Sequence, residues 1–99
     1  MTNKSSEVNK LIDFFQNKFG IENISIKDFW DEEPDAIGFV GRDNSFLVYV
    51  AIYEENNFYV ALEGPATDNE MPYADEGDFN NVSLSELEII IITHLKIKT

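Results

Sequence analysis

A chain of 99 residues with 43% hydrophobic and 13% aromatic side chains is too apolar for intrinsic disorder, and at this length a domain buries roughly two thirds of the surface its unfolded chain exposes. Cysteine is absent, which excludes disulfides and thiolate metal sites and suits a reducing compartment, and a single histidine leaves little material for nucleophilic chemistry. The formal charge is −12, and it is lopsided: no Lys or Arg occurs between Arg42 and Lys96, whereas eleven carboxylates from Asp43 to Glu88 do. Such a field repels nucleic acid and anionic membrane and speeds encounter with a basic protein.

The opening residues, MTNKSSEVNK, are polar where a secretory signal would be apolar. The longest unbroken apolar run, Phe46 to Tyr53, is eight residues against the roughly 20 that span a bilayer. One soluble, cytoplasmic domain over residues 1–99 is the expectation.

From Ser6, the apolar positions Val8, Leu11, Ile12, Phe15 and Phe19 form one helical stripe, with Ser5 or Ser6 as the cap and Gly20 as the stop. Phe14 lies at the edge of that stripe. Ile21 to Trp30 alternates loosely and predicts a first strand, with Ile24 and Ile26 on one face. The acidic run Asp31-Glu32-Glu33-Pro34-Asp35 then predicts a solvent-facing turn, because Pro34 disfavours the α conformation in Glu33 and the carboxylates repel. Ala36 to Val40 predicts a short second strand, and residues 41–45 a loop.

Phe46 to Glu63 carries two β-rich apolar arms around Asn56-Asn57, residues able to take the positive φ of a tight turn, and predicts a hairpin. Loops of two or four residues would place Leu47, Tyr49, Ala51 and Tyr53 on the face of Phe58, Val60 and Leu62. Both faces are then apolar, so the hairpin is either covered on both or presents one to a partner. Gly64 to Asn81, with two prolines, two glycines and five carboxylates, predicts a long acidic loop of the kind that is usually functional or disordered. Ser83-Leu84-Ser85-Glu86 matches a capping box and predicts a helix from Leu84 to about Lys96, although its isoleucines also suit a strand. That helix is apolar on more than one face and is expected to sit wedged between the sheet and another element. The sum is an α+β fold: an N-terminal helix, an antiparallel three- or four-stranded meander and a C-terminal helix.

No residue pattern singles out a catalytic centre. His94 falls in the last turn of a helix, where a histidine more often favours the helix dipole than performs catalysis. The Asp68-Asn69-Glu70 and Asp75-Glu76-Gly77-Asp78 runs offer oxygen ligands but not the alternating spacing of an EF-hand, and no glycine-rich phosphate loop occurs. The expectation is a protein with no enzymatic activity, no cofactor and no resident metal.

What remains is acid interleaved with aromatics in the loops. Asp31, Glu32, Glu33 and Asp35, with Asp68, Glu70, Asp75, Glu76 and Asp78, are candidates to face a basic surface, with Trp30 or Tyr73 as the desolvated anchor. In size, lack of cysteine, α+β order and acidic loops around Trp30 and Tyr73, the chain resembles the small acidic immunity proteins of bacterial contact-dependent inhibition and polymorphic toxin systems. That resemblance implies a cytoplasmic protein that binds one cognate toxin, often a basic nuclease, and blocks it. The chain also looks somewhat like acidic secretion chaperones, and a DNA mimic is a third reading of the same charge.

Overall fold

The computed structural model describes residues 5–27, 34–42, 45–54, 56–65 and 73–97, with the backbone alone at 73–75. Helix α1 (Ser6–Phe19) is followed by five strands, β1 (Ser25–Lys27), β2 (Ala36–Val40), β3 (Leu47–Glu54), β4 (Asn57–Pro65) and β5 (Tyr73–Val82), and by helix α2 (Leu84–His94). The strands form one antiparallel meander in the order β1-β2-β3-β4-β5, so each pairs with its neighbour in sequence.

Helix α1 begins where the Ser5 hydroxyl accepts from the Val8 amide at 3.3 Å. It ends at Gly20, whose φ of 89° is open to glycine and whose amide still donates to the Gln16 carbonyl. Its buried residues are the expected stripe, Val8, Leu11, Ile12, Phe15 and Phe19. Phe15 meets Phe39 of β2 edge to face at 5.5 Å, which docks α1 on the β2 side of the sheet. The first strand begins later than the alternation predicts: residues 21–23 turn, held by the Asn23 amide and side chain on the Gly20 and Phe19 carbonyls, and the predicted end at 28–30 lies outside the described residues.

The hairpin forms, but its parity is the reverse of the expectation. The turn that includes Asn56, at φ 59°, sets Glu54 opposite Asn57, which itself opens β4. A regular ladder would next set Tyr53 opposite Phe58. Instead Ile52 faces Phe58, Val50 faces Val60 and Val48 faces Leu62, and Tyr53 is the extra residue of a bulge. One added residue moves a whole strand to the other face. The bulged register gathers Val48, Val50 and Ile52 with Phe58, Val60 and Leu62 into one apolar face. The straight register would mix aliphatic and tyrosine side chains on both.

The two helices cover that aliphatic face. Leu87 and Ile91 of α2, with Leu95 and Ile97 beyond it, join the α1 stripe and Ile37, Phe39, Val48, Val50, Phe58 and Val60 in one core. α2 packs against the sheet through Leu87 and Ile91 and leaves one side open, where Ile89 is 63% exposed. Beside it, Lys18 of α1 pairs with Glu88. Its capping box is complete: Ser83 Oγ accepts from Glu86 N at 3.2 Å and Glu86 Oε1 accepts from Ser83 N at 3.1 Å. The Asn56 side chain accepts from Leu84 N at 2.7 Å, tying the hairpin tip to the same helix end. The helix stops at His94 rather than Lys96. Lys96 takes φ 56° and Ile97 N donates back to Ile92 O at 3.0 Å, a Schellman-type ending with lysine where glycine is usual.

The acidic stretch 64–81 is not one long loop. β4 continues to Pro65 and β5 begins at Tyr73, which raises the strand count to five. The strand was hidden because edge strands carry charge and bulges instead of alternating apolar residues. β5 has both, with register shifts against Leu62/Glu63 and Phe58/Val60 and positive φ at Gly77 and Asn81.

Two outcomes follow. Deleting Tyr53 is expected to leave Ile52 opposite Phe58 in a regular ladder and so to cost little stability in urea denaturation, because the six core residues of β3 and β4 keep their face. For Glu86, the Ser83 backbone amide and then its hydroxyl hold the carboxyl below its ordinary value of 4.5. A depressed value means that the cap contributes above the unfolded-state pKa and is lost as pH falls through the folded-state one. Glu86→Gln is therefore expected to be less stable than the parent at neutral pH, with the difference shrinking at the acid end of a pH series of melts.

Candidate functional site

The face of the sheet turned away from the helices is built from small residues and tyrosines. Along it the register sets Gly38, Tyr49 and Ala61 in one row and Ala36, Ala51 and Tyr59 in the next. One end is dry: Val40 and Leu47, opposite each other, are fully buried. Toward the hairpin end the rings gather. Tyr49 and Tyr59 lie 6.1 Å apart at 70°, and Tyr53 lies 6.4 Å from Tyr59 at 42°. The bulge puts Tyr53 there, leaving it 61% exposed. Asp78 of β5 opposes Ala61, and its Oδ2 accepts from the Tyr59 hydroxyl at 2.8 Å, which draws a carboxylate up to the edge of the ring cluster. Glu54 is exposed next to Tyr53, and Asp35, also exposed, joins the same end of the sheet through the bond from Ile52 N to its carbonyl at 2.8 Å.

On the opposite side of β5 a second polar group forms. His94 Nε2 lies 2.8 Å from the Glu63 carbonyl and 3.9 Å from Glu76 Oε1. A carbonyl can only accept, so Nε2 carries the proton and donates. The ring stands edge-on to Phe46 at 5.5 Å, and Lys96 Nζ lies 4.5 Å over the Phe46 ring. Glu76 reaches this place because Gly64 has no side chain: a Cβ there would come within 2.5 Å of the Glu76 carboxyl. His94 thus latches α2 to the two outer strands.

Of the residues singled out in the sequence, Trp30, Asp31, Glu32, Glu33, Asp68 and Glu70 lie outside the described residues, as do the side chains of Tyr73 and Asp75. In the backbone register Tyr73 opposes Pro65 and Asp75 opposes Glu63. Glu76 and Asp78, close in sequence, are not brought together: Glu76 turns to the helix side and His94, and Asp78 to the tyrosines. The tyrosine cluster was missed for one reason. The straight-ladder parity assigns Tyr49 and Tyr53 to the face of Phe58 and Val60, where they read as core. Among the described residues no three His, Cys, Asp or Glu side chains converge as a metal site, and no helix is long and apolar enough to cross a membrane.

No family model, curated protein or solved structure matches the chain.

The latch makes its own prediction. His94→Gln keeps an N–H donor for the Glu63 carbonyl and is expected to change stability little. His94→Leu removes that donor and the latch with it, and is expected to cost about 1–3 kcal/mol in chemical denaturation.

Proposed function

We propose that this is a non-catalytic binding protein whose acidic half docks a basic protein, acting as an immunity protein that neutralises a cognate toxin, foremost a nuclease. The observation that carries the reading is the sign of the charge over β3, β4, β5 and α2, which contain no lysine or arginine. A field of one sign over half of a small domain raises the encounter rate with a basic partner and disfavours acidic competitors. It would do so wherever on that half the partner lands. A nuclease offers the complementary surface, since the groove that holds its phosphate backbone is itself basic. Occupying that groove blocks substrate access without chemistry on the inhibitor's part.

The test is affinity capture from the native strain followed by reconstitution from purified components. A basic nuclease domain bound one to one, with its activity lost on binding, is the expected result. Capture of an acidic partner, or a basic one whose activity is unaffected, would refute it. In surface plasmon resonance at low salt, neutralising Asp75, Glu76 and Asp78 to Asn and Gln is expected to slow association several-fold and to flatten its salt dependence.

A further inference from the structure

We infer that the tyrosine face receives arginine side chains of a basic protein, with Tyr53 as the stacking platform and Asp78 as the carboxylate. The inference rests on the binding-protein reading above and deepens it by naming which basic residue is recognised and where. Four observations converge on this place. The bulge in β3 delivers Tyr53 to the ring cluster with 61% of its surface exposed. Its ring is inclined 42° to that of Tyr59, so the two are not stacked face to face and a face of Tyr53 is open to a cation. The Tyr59 hydroxyl holds Asp78 through Oδ2, which leaves Oδ1 to accept from a further donor. Alanines at positions 51 and 61, both half-buried, keep the surface between the rings low, so a flat group can reach it.

These are the two halves of an arginine site. A guanidinium is planar, stacks on an aromatic face through cation–π attraction, and presents a fork of N–H donors to a carboxylate. A lysine ammonium is a compact, strongly hydrated charge that forgoes the planar stack and the fork, so an acidic surface alone would not distinguish the two whereas this one does. The charge complementarity is one-sided as well. Arg42 is the chain's sole arginine, and its Nε donates to the Glu22 carbonyl at 3.3 Å, so the guanidinium for this face comes from another molecule.

The experiment compares deca-arginine and deca-lysine peptides of equal charge, titrated at one salt concentration into the full chain and into Tyr53→Phe, Tyr53→Leu and Asp78→Asn, with binding read by fluorescence anisotropy and the contact surface by amide chemical shifts. Deca-arginine is expected to bind about fivefold more tightly than deca-lysine, the size of a modest cation–π contribution. Tyr53→Phe, which keeps the ring, should retain that preference. Tyr53→Leu and Asp78→Asn should each bring deca-arginine toward the deca-lysine value, and amides of residues 53, 59 and 78 should shift with deca-arginine. Equal affinities for the two peptides in the parent, with shifts elsewhere, would overturn the arginine site and leave the acidic binding protein standing. Failure of both peptides to bind at low salt would overturn both.

Discussion

One unpaired residue in β3 decides how this domain is assembled. Between Glu54, set opposite Asn57 by the turn, and Ile52, set opposite Phe58, the strand carries Tyr53 with no partner across the ladder. Side chains alternate with a period of two, so this single insertion determines that six aliphatic and aromatic residues of β3 and β4 share a face. Only then is there a continuous apolar surface on which Phe15 of α1 and Leu87 and Ile91 of α2 can be buried together. The same event sends the tyrosines to the other side. The core and the candidate site are two consequences of one bulge.

The acidic outer strand is held from the helix side. Glu76 is seated over Gly64 and near His94, and His94 donates to the carbonyl of Glu63. A similarly tight approach occurs at Gly41, where a Cβ would come within 2.9 Å of the Leu95 carbonyl. Backbone carbonyls yield far less readily than the end of a glutamate side chain, so Gly41 fixes how closely the end of α2 lies to β2. At both ends of α2 the chain uses contacts from distant segments: Asn56 at its start, and Gly41, Phe46 and the Glu63 carbonyl at its finish. The helix is short, and these contacts fix its ends while Leu87 and Ile91 bury its apolar face.

The candidate site was legible in composition and illegible in geometry. That acid and aromatic residues would lie together is evident from the interleaving of the two types, and Asp78 does meet a tyrosine. The tyrosine is Tyr59, from a strand that reads as scaffold. Asp75-Glu76-Asp78 reads as one acidic cluster only if the segment is a loop. Once it is a strand, Glu76 and Asp78 serve different faces, joined to different partners. β5 itself was hidden because the features that protect an exposed edge from pairing with other chains, charge and bulges, are those that elsewhere signal a loop.

The sequence by itself determined the elements whose signals are local: the α1 stripe with its serine and glycine ends, the capping box of α2, strand β2 and the hairpin that follows it. Each of these rests on contacts within a few residues, which periodicity and capping chemistry report directly. It also determined the sign of the charge on the second half of the chain. Tertiary structure alone decided the parity of the hairpin, the existence of β5, and the pairing of His94 with Glu63 and of Tyr59 with Asp78. The two pairings join residues 19 and 31 positions apart, and the parity depends on which register buries the most apolar surface, a comparison that exists only once helices and sheet meet.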